Sequence, residues 1–176
     1  MEPLPAGACV VRPYRPADVD ALVRATRESV ATVGRWMPWC HDGYVAAEAE
    51  EWIAYTARCL AERSAWELAV ADASSDNLVG GVGLNQFNAR NNFCNLGYWV
   101  RESRQRRGAA TASARALSHF GFATLGLTRI EIVMQTGNAA SARVAEAIGA
   151  RYEGVARNRL VVGDRPVDAG VYGLVP

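Results

Sequence analysis

The fold of this chain is decided by the stretch Val100-Arg101-Glu102-Ser103-Arg104-Gln105-Arg106-Arg107-Gly108-Ala109-Ala110. A strand-like segment, Asn95 to Val100, precedes the turn, and a long alanine-rich helical pattern begins at Gly108. The first turn of such a helix leaves several backbone N–H groups without acceptors at the positive end of the helix dipole. The residues from Gln105 to Ala110 are therefore a predicted anion site.

The composition of this turn favours a diphosphate as the anion. Gly108 puts no Cβ in the approach to the backbone, and the two alanines that follow add little bulk. Charge-assisted hydrogen bonds to phosphate oxygens can come from three arginines, Arg104, Arg106 and Arg107. Basic residues before a helix are also common as a solvated helix start. The turn alone leaves both interpretations open.

Length and charge limit the function classes. A chain of 176 residues suits a single domain, residues 1–176, because a domain of about 150 residues already buries about 70% of its unfolded surface. The formal net charge of +1 argues against a general nucleic-acid binder, which would present a strongly basic face. The local arginine cluster favours a small polyanion over a long one.

Metal and membrane chemistry find little support. The four cysteines form no Cys-x-x-Cys pair, and the two histidines, His41 and His119, lie far apart in the sequence. The segment from Met1 to Ala8 lacks a signal pattern, and no run approaches the roughly 18 apolar residues of a membrane span. We therefore expect a cytoplasmic protein with reduced thiols, no metal and no membrane contact.

Hydrophobic periodicity predicts one α/β domain around a mixed, mostly antiparallel sheet of about seven strands, with four or more helices. The strand segments are Cys9 to Tyr14, Ala65 to Ala71, Leu78 to Phe87, Phe93 to Val100, Arg129 to Gln135, Arg151 to Val162 and Pro166 to Leu174. The helical segments follow Asp18 as N-cap, run over Ser29 to Trp39, Val45 to Arg63 and Gly108 to Thr124, and follow Asn138 as N-cap.

Two features of this pattern bear on the site. A strand, a crossover helix and a second strand imply that Phe93 to Val100 and Arg129 to Gln135 run parallel. The run Gly80-Gly81-Val82-Gly83 has the look of a nucleotide-binding glycine loop, but no helical pattern follows it. We interpret these glycines as close packing within a strand.

The chain resembles the GNAT superfamily of acetyl-CoA-dependent N-acetyltransferases, and within it the RimJ/RimL-type branch that acts on ribosomal-protein N-termini. The diphosphate turn of that family, Gln/Arg-x-x-Gly-x-Gly/Ala, is matched by Gln105, Gly108 and Ala110. Three further motifs occur in the family's order: Trp36-Met37-Pro38-Trp39, Gly97-Tyr98-Trp99-Val100 and Asn138-Ala139-Ala140-Ser141. The resemblance as a whole covers roughly Val10 to Tyr172.

The resemblance implies a GNAT fold in which the two parallel strands part at the turn and pair with the pantetheine arm of acetyl-CoA. The residues that it assigns to the cofactor are Tyr98, Trp99, Val100, Gln105, Arg106, Arg107, Gly108, Ala109, Ala110, Asn138 and Ser141, with Met134 and Gln135 also beside the arm. A backbone N–H near Val100 would face the thioester oxygen, and Ser141 would protonate the leaving thiolate as general acid.

For four of the candidate site residues a purely structural role is an alternative. In this second interpretation Asn138 is the N-cap of the helix and Ser141 is its capping partner, and neither residue has a further role. Trp36 and Trp39 can be core residues, as most large aromatics are, or the wall of an acceptor cleft at a break between two helices.

The sequence does not identify the general base. Relatives often carry Ala-Glu-Ile-Gly-Tyr-Trp where this chain has Cys94-Asn95-Leu96-Gly97-Tyr98-Trp99, so that the acid of the relatives is Asn95 here. Other groups that can accept a proton are Glu28, His41, Asp42 and Glu67. A water chain that ends in bulk solvent is an equal alternative.

The expected reaction is direct transfer of the acetyl group of acetyl-CoA to a primary amine in a ternary complex, with CoA as product and no metal. We favour the N-terminal α-amine of a protein as acceptor, because its pKa of about 7.7–8.0 makes it easier to deprotonate than a lysine with a pKa of about 10.4. Alternatives are a polyamine or aminoglycoside, which needs an acidic cleft, and a non-catalytic acyl-CoA sensor or scaffold. We expect a monomer or a homodimer.

Overall fold

The computed structural model describes residues 1–176 and contains one eight-stranded sheet. The strands are β1 (Leu4–Ala6), β2 (Cys9–Pro13), β3 (Trp66–Asp72), β4 (Leu78–Asn88), β5 (Phe93–Val100), β6 (Arg129–Gln135), β7 (Arg151–Val162) and β8 (Arg165–Leu174). The helices are α1 (Val19–Glu28), α2 (Ala46–Glu62), α3 (Ala109–Ala123) and α4 (Ala139–Ala147).

The strand order is β1-β2-β3-β4-β5-β6-β8-β7, and every neighbouring pair is antiparallel except β5 and β6. The predicted mixed, mostly antiparallel GNAT-type sheet is confirmed. The sequence predicted about seven strands and the sheet has eight, because β1 was not predicted. This three-residue edge strand contains Pro5, which a period-2 pattern does not reveal.

The parallel pair separates along its length. β5 and β6 pair only where Phe93 to Asn95 face Arg129 to Glu131. Beyond Asn95, β5 stays paired with β4, and beyond Glu131, β6 stays paired with β8. The resulting gap lies between the ends of two neighbouring strands and leads directly to the turn before α3.

The helices cover both faces of the sheet. α3 and α4 pack on the face that carries the larger hydrophobic cluster, to which Leu84, Leu96 and Leu117 belong. α1 and α2 pack on the other face through a smaller cluster that includes Leu22 and Ile53. The two faces thus have separate cores, and the ends of β5 and β6 lie between them.

Two local predictions differ from the structure. Asp18 precedes α1 as expected, but its carboxylate accepts hydrogen bonds from the buried Arg12 guanidinium at 2.7 and 2.9 Å rather than from the helix. The segment Ser29 to Trp39 is not a continuous helix, since only a π-helical turn forms over Val30–Gly34. No helix in the structure has the length and hydropathy needed to cross a membrane.

Candidate active site

Two cavities lie on either side of the end of β5. The first, which we call the turn cavity, has a volume of about 610 Å³ and is bounded by the turn before α3 and by the start of α4. The second, the aromatic cavity, has a volume of about 590 Å³ and lies under α2 on the other face. Both cavities are lined by Met37, Tyr98 and Trp99, so that a single wall separates them.

The turn before α3 presents a row of free donors. None of the six successive backbone N–H groups from Arg106 to Thr111 donates to an acceptor within the protein. Gly108 has a φ of +79°, and no atom lies within 4 Å of the position that a Cβ would take there. Arg106 also has a positive φ, 60°. A chain of N–H groups at a helix N-terminus, facing open space, fits the oxygens of a diphosphate.

The arginines that line the turn cavity are not the three that the sequence predicted. Arg104 and Arg106 line it, although Arg104 is also paired with Asp72 at 2.9 Å. Arg107 is exposed and does not line the cavity. Arg35 and Arg143 line it instead, and no local spacing could have linked these two residues to the turn.

Gln105 holds the end of β5 rather than facing an anion with its side chain. Its Nε2 donates to the carbonyl oxygen of Val100 at 3.0 Å and to Oγ1 of Thr32 at 3.2 Å. The N–H of Arg101 donates to the carbonyl of Val79 on β4. Because donors alternate sides along an antiparallel strand, the N–H of Val100 is directed away from β4, toward the gap beside β6.

The side chain of Asn138 and the backbone of Ser141 together cap the start of α4. Oδ1 of Asn138 accepts a hydrogen bond from the Ser141 N–H at 3.1 Å, as an N-cap does. The Ser141 hydroxyl takes no part in this cap. It lies 3.0 Å from the hydroxyl of Tyr98, which also donates to the Ser141 carbonyl at 2.9 Å. Burial raises the pKa of Tyr98 to about 12.

The two tryptophans of the first motif are not core residues and do not share a cavity. Trp36 is half-buried and lines the turn cavity, where its carbonyl accepts a hydrogen bond from Gln135 at 2.9 Å. Trp39 is 40% exposed and lines the aromatic cavity, with its ring edge-on to Trp99 at a centroid distance of 5.2 Å.

Glycines form the floor of the aromatic cavity. The predicted close packing at Gly80 to Gly83 is present. A Cβ at Gly81 would lie 2.5 Å from the Trp99 indole nitrogen, and a Cβ at Gly83 would lie 1.9 Å from a carboxylate oxygen of Glu67. At Gly97, by contrast, no atom lies within 4 Å of the Cβ position. These glycines leave room for side chains that lie flat across the sheet.

The four candidates for the general base differ in their location and in their bonding partners. Glu28 is paired with Arg101, which holds the pKa of its carboxyl down to about 2. His41 is exposed and bonded to Glu48 at 3.0 Å, and Asp42 lines neither cavity. Glu67 lines the aromatic cavity, and burial raises the pKa of its carboxyl. Of the four, only Glu67 combines a free oxygen with a place in a cavity.

A family model described as "Acetyltransferase (GNAT) domain" matches residues 9–151. The chain belongs to the GNAT acetyltransferase family.

Named relatives support the RimJ/RimL-type branch of the family. The chain is 28% identical over 170 residues, 94% of its length, to the Bacillus subtilis protein named "Putative ribosomal N-acetyltransferase YdaF", of which it covers 90%. A solved structure, "Structure of a putative ribosomal-protein-serine acetyltransferase from Vibrio cholerae", shows 29% identity and a TM-score of 0.87, with coverage of 99% of this chain and 98% of that one.

A solved GNAT structure with a coenzyme present has the same fold. Mycobacterium smegmatis RimJ in complex with CoA-disulfide gives a TM-score of 0.86 at 22% identity, with coverage of 99% of this chain and 86% of that one. The family match and the YdaF relative show that this chain is an acetyl-CoA-dependent acetyltransferase. Its structure contains no group of three or more His, Cys, Asp or Glu side chains arranged to hold a metal.

Proposed function

We propose that this protein transfers the acetyl group of acetyl-CoA to the N-terminal α-amine of a protein, of the ribosomal-protein type, by direct attack in a ternary complex. The observation that supports direct transfer is the shared wall of Met37, Tyr98 and Trp99 between the two cavities. Two reactants bound on opposite sides of this wall would meet at the end of β5. No covalent enzyme intermediate is needed.

In this proposal the turn cavity binds the coenzyme. The N–H groups from Arg106 to Ala110 bind the diphosphate, with support from the side chains of Arg35 and Arg143. Residues of the exposed strand end and of the α4 start flank the pantetheine arm, namely Tyr98, Trp99, Val100, Asn138 and Ser141. Acetyl-CoA, when bound, supplies an acetyl thioester as the acyl donor.

Val100 contributes its N–H as an oxyanion donor. That N–H is directed into the gap between β5 and β6, and Gln105 fixes the same residue's carbonyl. A preorganised donor of this kind reduces a barrier by about 2.7–4 kcal/mol.

Ser141 acts as the general acid, with Tyr98 as the residue that orients it. Because the Tyr98 hydroxyl donates to the Ser141 carbonyl, the Tyr98 oxygen is left to accept from the Ser141 hydroxyl. The Ser141 proton is then held at the wall between the cavities. A tyrosine with a raised pKa remains protonated at neutral pH and keeps this arrangement intact.

A second acceptor class is favoured by one observation. The aromatic cavity has three carboxylates, Glu48, Glu51 and Glu67, against one guanidinium, Arg58. An acidic, aromatic cavity suits a polyamine or aminoglycoside, whose several ammonium groups bind carboxylates and aromatic faces. The relatives with names of the ribosomal-protein type support the protein acceptor, and that acceptor would place the reaction in the cytoplasm.

The test compares acceptors by the rate of CoA release. Peptides with a free N-terminal serine or alanine, the same peptides acetylated at the N-terminus with an internal lysine, and spermidine would be used with acetyl-CoA. We expect turnover only with a free α-amine, and a higher rate with spermidine would instead support the polycation. Absence of CoA release with every amine, together with tight acetyl-CoA binding in calorimetry, would support the sensor or scaffold alternative.

A variant at Glu51, a carboxylate that lines the aromatic cavity, tests the polycation acceptor directly. Both oxygens of Glu48 are already bonded, to His41 and to the Val45 N–H, whereas Glu51 has no partner in the protein. Glu51→Gln would lower kcat/KM for spermidine by about 2- to 5-fold, the effect of an exposed ion pair of about 0.5–1 kcal/mol. A peptide with an uncharged second residue would be unaffected.

A further inference from the structure

Glu67 lies in a row of residues that crosses three strands. It pairs with Gly83 on β4, and Gly83 pairs in turn with Gly97 on β5. With no side chain on Gly83, the Glu67 carboxylate lies over β4, and Gly97 leaves the next position of the row open. A carboxylate that begins on β3 thus reaches toward the wall shared by the two cavities.

The carboxylate is held by one of its two oxygens. Oε1 accepts from Nδ2 of Asn85 at 2.7 Å, and Oδ1 of Asn85 accepts from Nδ2 of Asn95 at 3.0 Å. Asn95 thus donates to Asn85, and Asn85 donates to Glu67. This chain of hydrogen bonds orients the carboxylate and favours its charged form. Oε2 has no hydrogen-bond partner in the protein and is not sealed from the cavity.

A purely structural carboxylate in such a place would be expected to have a cation beside it. Arg58 lines the same cavity but forms no ion pair with Glu67. The other ionisable groups that line this cavity are Tyr14 at the end of β2 and Tyr44, Glu48, Glu51 and Tyr55 from α2 and the segment before it. At neutral pH none of them supplies a positive charge.

We propose that Glu67 is the general base of the acetyl transfer, and that Gly83, Asn85 and Asn95 position it. This inference rests on the proposed function. The acceptor ammonium gives one proton to Oε2 of Glu67, and the nitrogen lone pair becomes free to attack an acyl carbon. The neutral carboxyl then returns the proton to water at the open end of the cavity, which restores the carboxylate.

The burial of Glu67 serves this task. Desolvation raises the pKa of its carboxyl, opposed by the hydrogen bond from Asn85. A carboxylate with a raised pKa is a stronger base than one with the ordinary pKa of a glutamate. The other charged side chains that line the same cavity are the carboxylates Glu48 and Glu51 and the guanidinium of Arg58.

The test measures CoA release over pH 6 to 9 with acetyl-CoA and a peptide that has a free N-terminal alanine. We expect Glu67→Gln to lower kcat/KM by about 100-fold at pH 7. The deficit should shrink to less than tenfold at pH 9, where the peptide amine is neutral without help. Calorimetric affinity for acetyl-CoA should remain within threefold, because the change is outside the turn cavity.

Two further variants keep the outcome decisive. Gly83→Ala retains the Glu67 charge but places a Cβ 1.9 Å from Oε2, so it should show the same pH-dependent loss. Glu131→Gln, a change of the same kind at a half-buried carboxylate outside both cavities, should leave the profile unaltered. Thermal melts show whether each variant is folded.

The results separate the base from the function on which it rests. If wild type turns over but Glu67→Gln and Gly83→Ala lose the same factor at every pH, or lose nothing, Glu67 is not the base. If wild type releases no CoA with the peptide or with spermidine, the proposed function itself is overturned, and the base role with it.

Discussion

The hydroxyl of Tyr98 lies 3.0 Å from the hydroxyl of Ser141 and 2.9 Å from the carbonyl oxygen of the same residue. One side chain from β5 thereby fixes both the backbone and the side chain of a residue in the first turn of α4. The contact joins β5 to α4, and both residues line the turn cavity. The helix cap uses only the N–H of Ser141, so that its hydroxyl takes no part in the cap.

Ser141→Ala should lower kcat by about 100-fold if the hydroxyl is the general acid. The cap is retained, so the free energy of unfolding should change by less than about 0.5 kcal/mol. Asn138→Ala is the matched stability variant and should cost about 1 kcal/mol through loss of the cap. Steady-state kinetics and urea unfolding measure both effects. Normal turnover in Ser141→Ala would remove Ser141 from the reaction.

Tyr98→Phe keeps the ring in the wall and removes only the hydroxyl. Without its partner, the Ser141 hydroxyl loses its orientation, and we expect kcat to fall about tenfold, equivalent to about 1.4 kcal/mol in the barrier. The double variant with Ser141→Ala should be no slower than Ser141→Ala alone, since both act through one proton. Additive losses would mean that Tyr98 acts independently of Ser141.

Gly108→Glu should abolish acetyl-CoA binding, because it adds charge and bulk in the open space before the free N–H groups. Gly126→Glu is the matched control at the other end of α3, with a φ of +69° and equally open space at its Cβ. Both changes carry a backbone penalty of about 1–2 kcal/mol for a side chain at positive φ. Calorimetry should show lost affinity for the first variant only. Equal affinities would contradict the placement of the diphosphate.

Gln105→Ala should weaken catalysis without removing the proposed diphosphate site. It deletes the bonds to the Val100 carbonyl and to Thr32, which together stabilise the fold by about 1–2 kcal/mol. We expect kcat/KM to fall about tenfold as the Val100 peptide loosens, which corresponds to about 1.4 kcal/mol. Thr32→Val removes only one of the two bonds and should retain most of the activity. A loss of affinity for acetyl-CoA as large as the loss of kcat/KM would assign Gln105 to binding.

The Glu28–Arg101 pair predicts a pH-dependent contribution to stability. Hydrogen bonds from Arg101 and Ser103 hold the pKa of Glu28 at about 2, below its ordinary value of 4.5. The stabilisation is therefore fully present above about pH 4.5 and is lost as the pH falls to about 2. Glu28→Gln should destabilise the protein by about 1 kcal/mol at pH 7, since the pair is partly exposed.

The check is urea unfolding of Glu28→Gln and wild type at pH 7 and at the lowest pH where both fold. The difference between them should shrink toward acid pH. Glu62→Gln, at an exposed carboxylate of α2 without a partner in the protein, should be neutral throughout. A difference that is constant with pH would mean that the charge of Glu28 is not what stabilises the turn.

Local sequence patterns predicted the elements of this protein well. The strands near Arg129 and Phe93, the helix that begins at Ala109 and the cap at Asn138 follow from period, glycine positions and capping residues. Such signals are encoded within a few residues of the chain, and the backbone responds to them locally. The turn with its free N–H groups belongs to the same class, because a strand followed by a helix start is itself a local feature.

Contacts between distant strands could not be predicted in this way. Trp36 and Trp39 are three residues apart and line different cavities, and the turn cavity is lined by Arg143 but not by Arg107. Glu67 was one of four proton acceptors that the sequence could not rank. What distinguishes it is the row that joins it to Gly83 and Gly97, and a slip of one residue in the pairing would turn it to the other face.

The amino-acid sequence by itself determined most of the strands and helices, the turn before α3 and the family, since these depend on short-range periodicity and on residues adjacent in the chain. Tertiary structure alone decided that two cavities share one wall, that Ser141 meets Tyr98 and that Glu67 reaches across Gly83. The physical reason is strand register. Side chains far apart in the sequence are brought together only by the pairing of whole strands, which is set by the packing of the entire sheet.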